Sequence, residues 1–426
     1  MSYATFMKNK RRSMTAVVGP ILLSAAAIGI VILRRKEETQ DPAKLPENSP
    51  KQEELAMWAG RNGLTRRGED AVVAMRTAGT RGLRPEDYAK GLDETDPVKR
   101  DAAIGANLKR FAMDLRNGHA NQGLYKAPAP TPEAVLDTIT NDPQGIEAGL
   151  QKLDPPFAEY RRLLDALAKY REMPGEEQHV AQIERTLERW RWLPREFPNG
   201  VIVVNVPEFQ LRAYDGQMQQ ALQMKVVVGQ LRHTTPLFMG QLKYLVFGPY
   251  WHVPASILAN EIVPDIEKDR TYLTRNNYEV TNGAGEVVGG ADKVSEEVLK
   301  GLKSGDYHLR QIPGARNALG RVKFMFPNQE NVYLHDTNAR KLFARETRAF
   351  SHGCVRVEQP EELAKWVLRD QPAWTAERIA KSLTTTKQEQ ANLKKPIPVL
   401  IVYHTVTVDE SGTVHFLPDI YGRESF

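Results

Sequence analysis

The chain has one cysteine, Cys354, in the run Ser351-His352-Gly353-Cys354-Val355-Arg356. A second histidine, His335, stands 19 positions upstream in Tyr333-Leu334-His335-Asp336-Thr337. A solitary cysteine has no intramolecular disulfide partner, and a thiol set among histidines, an arginine and a glycine is equipped for nucleophilic catalysis. A free thiol is mostly protonated at neutral pH, so a base or a cation must supply thiolate, and His335 is the candidate base. The backbone N–H groups of Gly353 and Cys354 are candidate oxyanion donors, because a residue without a Cβ lets substrate approach them. His352 is a candidate for shaping the loop or touching substrate. Arg356 can orient the loop or a substrate carboxylate through its planar fork, or form a structural ion pair. Tyr333, Trp251, Asn317, Tyr250 and Ser351 are candidates for the wall of a substrate groove, although aromatics are commoner in cores than in sites.

Two other readings fit the same residues. A lone cysteine is often a small buried hydrophobe; the polar run around Cys354 speaks against that. His335, His352 and Cys354 could together hold zinc, but the chain has no CxxC pair and no HExxH run. Acyl transfer by a thiol needs no metal and no organic cofactor.

His335, a gap from Asp336 to Phe350, then Ser351-His352-Gly353-Cys354 with Arg356 close behind resembles the signature of the L,D-transpeptidases, cysteine enzymes that cross-link bacterial peptidoglycan. The likeness runs over roughly 190–426, from Trp190-Arg191-Trp192-Leu193-Pro194 to Asp419-Ile420-Tyr421-Gly422. It is strongest to the long, membrane-anchored branch, whose helical scaffold region is also similar to Gly82-Leu83-Arg84-Pro85 and to 111–118. The resemblance implies a stem tetrapeptide as donor, a thioester on Cys354, loss of D-alanine, and a neighbouring stem as acceptor in a 3→3 cross-link. It also implies a main-chain carbonyl near Asp336 that orients His335, a mobile cap over the site, and acylation by carbapenems. An L,D-carboxypeptidase or other peptidoglycan amide hydrolase would use the same residues. A non-catalytic cell-wall scaffold is the reading from another class. Long relatives often carry a peptidoglycan-binding module; here too few residues separate Tyr170 from Ile183 to hold one.

The elements that must position these residues read as α+β, with an N-terminal transmembrane helix, a helical scaffold and a mostly-β catalytic domain. Residues 13–33 are 21 uncharged, mostly apolar positions, enough to cross a bilayer core of about 30 Å at roughly 1.5 Å per residue. A cleavable signal peptide is the rival, with Ala25-Ala26-Ala27 as the small-residue site. The expected order is a cytoplasmic tail 1–12, a single-pass inner-membrane anchor 13–33, and a flexible linker 34–52 that leaves the rest in the periplasm. A helical scaffold domain over 53–193 and a catalytic domain over 194–426 follow.

In the scaffold, Tyr160, Leu163, Leu164, Leu167 and Tyr170 mark one helix face, and Ile183, Leu187 and Trp190 mark another. From Val201 the period shortens: 201–204 is a strand, 209–213 and 224–228 form a hairpin, 244–247 is a strand, and 399–408 pairs with 413–416. Many short strands predict a β-sandwich or open barrel, the resemblance implying a mixed sandwich, with helix only at 361–368 and 375–390. Residues 256–312 interrupt the β pattern with a helical piece and a loose glycine-rich stretch at Gly283, Gly285, Gly289 and Gly290. This insertion is the expected cap, a plain surface loop being the alternative. The net charge of +5 is modest and basic residues are interleaved with acidic ones, so no nucleic-acid partner is indicated. No protein partner in a wall-synthesis machinery can be named from the residues.

Overall fold

A computed structural model describes residues 56–424 other than 121–122, 126–129 and 291. The expected segments 1–12, 13–33 and 34–52 lie outside the described residues, and among those described no helix is long and apolar enough to cross a membrane.

A short hairpin of β1 (Ala59–Gly60) and β2 (Gly63–Leu64) opens the helical part. Six helices follow: α1 (Arg66–Arg76), α2 (Pro97–Asn117), α3 (Pro132–Thr140), α4 (Ile146–Gln151), α5 (Ala158–Arg171) and α6 (Glu177–Arg191). Their starts are chemically specified. Thr65 caps α1 by accepting from the Gly68 N–H at 3.0 Å. Asp96 and Thr131 cap α2 and α3, each with proline at the first helical position, where no amide donor is needed. The first four helices share one core around Met75, Tyr88, Leu108 and Phe111.

The β part begins with β3 (Val201–Asn205), β4 (Gln210–Tyr214), β5 (Gln220–Gly229) and β6 (Phe238–Phe247). An insertion then runs from β7 (Trp251–His252) through α7 (Ala255–Ile257), a π-helical turn (Leu258–Ile262), α8 (Val263–Lys268), α9 (Tyr272–Arg275), β8 (Tyr278–Thr281), β9 (Val287–Gly289) and α10 (Glu296–Ser304) to β10 (His308–Gln311). The chain continues as β11 (Val322–Met325), β12 (Leu334–His335), β13 (Ala349–Ser351), β14 (Val355–Val357), α11 (Pro360–Val367), α12 (Ala376–Ser382), β15 (Glu389–Val402), β16 (Val406–Val408) and β17 (Val414–Phe416).

Nine strands form the main sheet in the order β13-β5-β14-β12-β11-β6-β15-β3-β4. The sheet closes on itself because β4 also pairs with the first half of β5, while the second half of β5 pairs with β14 and β13. Of the expected sandwich or open barrel, the strand order gives a barrel-like sheet, closed through β4 and β5, and closure removes an exposed edge. Ile202, Val204, Val399 and Ile401 point into its core. Val201, Val203, Leu400 and Val402 point the other way, onto Phe157, Leu187 and Trp190 of the helical part. Successive side chains alternate across a strand, so a strand covered on both faces reads as an unbroken apolar run; β3 is buried at every position.

Two expectations need correction. The helix expected over 375–390 ends at Ser382, and β15 begins at Glu389, ten residues before the apolar run at Val399. Pro396 and Pro398 hide this strand, because proline cannot donate to a ladder; the register against β6 slips between Asn392 and Ile397. The insertion is also not a loose stretch. β7, β10, β8 and β9 form a four-stranded sheet that packs on its own core of Leu258, Ile262, Ile266, Leu273, Val280 and Leu309. Gly283 and Gly285 lie in a tight turn, where the Asn282 carboxamide oxygen accepts from Ala284 and Glu286 N–H groups at 3.0 Å each, and Gly289 ends β9.

The seam between helices and sheet should bear much of the stability. Trp190, 1% exposed, packs on Phe157 and His404. Trp190→Ala should destabilise the protein by about 3–5 kcal/mol, measured as a lower denaturant midpoint for the barrel. A midpoint equal to wild type would show that the sheet does not lean on α6.

Candidate active site

β12 is only two residues long, yet it fixes the site. It pairs in parallel with β14, setting Leu334 against Val355 and His335 against Arg356. On its other side it pairs antiparallel with β11, setting His335 against Lys323. Directly opposed residues on paired antiparallel strands project to the same face. Cys354 immediately precedes β14, so the thiol and the imidazole arise from adjacent strands.

His335 is 4% exposed. Its Nδ1 donates to the Asp336 main-chain oxygen at 2.5 Å, which leaves Nε2 as the basic nitrogen. Burial first, then the charges of Arg356 and Lys323, push this imidazole down to about 3, against the opposing pull of the Asp336 carbonyl. The Asp336 carboxylate has a separate task. It accepts from the Arg321 N–H at 2.9 Å and Nε at 3.2 Å, and from Arg340 Nη1 at 3.3 Å. Gly320 has a positive φ of 61°, and a Cβ there would collide with that carboxylate.

The Cys354 thiol is half-buried. It lies 3.7 Å from the Asn331 carbonyl oxygen, and the Tyr333 side chain bears on its titration. Burial pushes the thiol up, opposed by Tyr333, Arg356 and Lys323. The Tyr333 phenol is pushed up too, by burial and then by Cys354, so it stays a donor. Its ring stands edge-on to His335, 5.6 Å between centroids. Burial thus favours a neutral thiol beside a neutral imidazole.

Ser351 does not face a groove. It is buried, and its hydroxyl donates to the Cys354 carbonyl at 2.5 Å and accepts from the Gly353 N–H at 3.1 Å. The Gly353 N–H is thus occupied, which corrects its expected role as an oxyanion donor. The Cys354 N–H has no acceptor among the described residues. Gly353 has φ of 109°, a backbone conformation suited to glycine, and its carbonyl accepts from Thr235 Oγ1 at 2.9 Å. Thr235 in turn accepts from Gly229 of β5 at 2.8 Å and is bonded to Tyr421 near the chain's end. These partners tie the Gly353–Cys354 loop to distant segments.

His352 points outward, away from the loop interior. Its Nε2 is 2.6 Å from Glu261 Oε1 in the π-helical turn of the insertion, and its ring lies 4.9 Å from that of His233. The insertion therefore touches the residue two before the thiol. Arg356 makes no ion pair among the described residues, and its buried Nε has no hydrogen-bond partner there; the structural ion pair weighed from sequence is absent.

Three candidate groove residues are placed elsewhere. Asn317 is 1% exposed, and its amide donates to the Pro249, Gln311 and Ile312 carbonyls while its oxygen accepts from Leu319. It staples the base of the insertion rather than lining a groove. Trp251 packs into the insertion's core beside Tyr278. Tyr250 lies under the Arg310 guanidinium, 4.7 Å from its ring centre. Sequence reasoning missed Lys323, Asn331, Thr235 and Glu261. Of these only Asn331 left a signal: it follows Pro327-Asn328 in a turn-rich stretch, and its φ of 55° is one asparagine tolerates.

Residues 199–389 match the model of the L,D-transpeptidase catalytic domain (YkuD), and residues 51–167 match that of the Scaffold domain. The chain carries an L,D-transpeptidase catalytic domain preceded by a Scaffold domain. A Haemophilus influenzae protein assigned as an L,D-transpeptidase is 33% identical over 266 residues, which is 62% of this chain and 52% of the relative. The chain thus spans about half the length of that curated relative. Among solved structures, an L,D-transpeptidase from Mycobacterium smegmatis aligns over 48% of this chain and 58% of its own at 8% identity, TM-score 0.24. Bd1075 of Bdellovibrio bacteriovorus aligns over 50% and 51% at 15% identity, TM-score 0.20.

The buried neutral histidines make a stability prediction. An imidazole titrating at about 3 in the fold and near 6.5 when unfolded binds fewer protons folded than unfolded throughout that window. Its stabilising effect is complete above 6.5 and is lost as pH falls towards 3. His404, also held well below the ordinary value by burial, adds in the same direction. The melting temperature should fall between pH 7 and 5, less steeply in His335→Gln. A wild-type value flat across that range would contradict neutral burial.

Proposed function

We propose that this protein is a peptidoglycan L,D-transpeptidase that forms 3→3 cross-links through a thioester on Cys354. The observation that carries the reading is the His335 imidazole, fixed by the Asp336 carbonyl with Nε2 as its free basic nitrogen, one strand away from a lone thiol. Nε2 takes the thiol proton as sulfur attacks the amide carbonyl between the third and fourth residues of a stem tetrapeptide. The developing oxyanion is met by the unoccupied Cys354 N–H and by the Tyr333 hydroxyl. The C–N bond breaks, Nε2 returns the proton to the departing amine, and D-alanine leaves. An amine from the third residue of a second stem then attacks the thioester, its proton passes to Nε2, and the thiol is restored.

In this reading the insertion is a cap. The His352–Glu261 contact closes it over the nucleophile loop, and release of that contact admits the second stem. The expected anchor at 13–33 would hold the catalytic domain in the periplasm, beside its polymer.

Cys354→Ala should abolish acyl transfer with folding retained, and His335→Ala should slow acylation on the order of 10²-fold or more. Incubation with tetrapeptide muropeptides and mass analysis of products reads the outcome. Cross-linked dimers support transpeptidation, tripeptides alone reassign the protein as an L,D-carboxypeptidase, and turnover by Cys354→Ala removes the thioester. A carbapenem should add once to the wild-type protein, as seen by intact mass, and not at all to Cys354→Ala; an adduct on the variant would place the nucleophile elsewhere.

A further inference from the structure

We propose that Lys323, together with Arg356, reads the free carboxylate of the residue that leaves, and so restricts the donor to stems that end one residue beyond the scissile amide. The inference rests on the reading above and adds a specificity determinant to it.

Lys323 sits opposite His335 across the β11–β12 pairing and therefore projects to the same face. Its ammonium lies over the Tyr333 ring, 5.9 Å from the centre, and Tyr333 bears electrostatically on the thiol. Its charge acts on Cys354, on His335 and on His252 of β7. Among the described residues it has neither an ion pair nor a hydrogen bond. Arg356 is likewise without a carboxylate partner there, and its Nε is buried and unpaired. None of the groups acting on Cys354, His335, Lys323 or Arg356 is a carboxylate.

Partly desolvated cations without counter-charges are costly. Arg212, Arg310 and Arg189 are paired with Glu208, Glu279 and Glu424, and Arg195 and Arg348 spend their donors on main-chain carbonyls; the Lys323 ammonium and the Arg356 Nε have neither kind of partner among the described residues. Two unpaired cations converging on one thiol leave a place for an anion that arrives with substrate. The scissile amide's leaving residue carries its carboxylate two bonds from the breaking C–N bond. It is the anionic group that must come nearest the sulfur in every productive complex. A stem with one more residue presents an amide at that place, leaving both cations unmatched.

The test compares acylation of the full chain by a stem tetrapeptide with that by its C-terminal carboxamide. Wild type should prefer the acid roughly 10- to 100-fold in kcat/KM, the range of a charge-assisted hydrogen bond. In Lys323→Gln that ratio should fall towards one, with the loss mainly in KM, and Lys323→Arg should restore most of it. The pH profile of Cys354 alkylation by iodoacetamide separates the alternative role. A profile moved to higher pH in Lys323→Gln, with the acid-to-amide ratio kept, would make Lys323 an activator of the thiol and overturn the proposal. Equal wild-type rates on both donors would overturn it while leaving the transpeptidase reading intact. No acylation by either donor would remove that reading and the proposal with it.

Discussion

One hydrogen bond organises this site: His335 Nδ1–H to the main-chain oxygen of Asp336. It fixes the tautomer, turns Nε2 outward and holds the ring without placing a carboxylate beside it. A carboxylate partner would favour the imidazolium; a neutral carbonyl in a buried setting does so much less. The surrounding structure keeps that carbonyl in place. The Asp336 carboxylate is held by Arg321 and Arg340, Arg340 also reaches the Val357 carbonyl at the end of β14, and Gly320 leaves the room that the carboxylate fills. Side chain and main chain of one residue thus divide the work, ion pairing outside and imidazole orientation inside.

The rest of the fold supplies stiffness around that bond. A closed sheet cannot slide its strands independently, so a two-residue strand such as β12 keeps its register because its neighbours keep theirs. The helical part covers the outward face of β3 and β15. The insertion brings its own core and meets the loop through Glu261 and His352. A body that folds on its own core and touches the site through few polar contacts can move without unfolding the barrel.

Part of this was legible in the residues. His335 and the Ser-His-Gly-Cys run point to the family whose catalytic-domain model matches 199–389, and period changes near 193–201 mark where helices give way to strands. The unread parts have physical causes. A carbonyl's direction leaves no trace in a side-chain alphabet. Ser351 and Gly353 looked like site residues because they are, but their polar groups are spent on each other and on Cys354, a matter of geometry. Asn317 and Trp251 were candidates for a groove wall by residue type, and they build the insertion's base and core. Lys323 alternates with Val322 and Phe324 as any outward strand residue would, so only strand order brings it beside His335. β15 was masked by its prolines.

The central claim is that the His335 imidazole is neutral and protonated on Nδ1. Nitrogen-15 NMR of histidine-labelled protein measures this directly, through the ring shifts of His335 across pH 5 to 8, assigned with His335→Gln. The account predicts an unchanging neutral Nδ1–H tautomer over the whole range, with a hydrogen-bonded Nδ1 proton. An imidazolium signal at pH 7, titrating together with Cys354, would contradict it and restore a preformed thiolate–imidazolium pair.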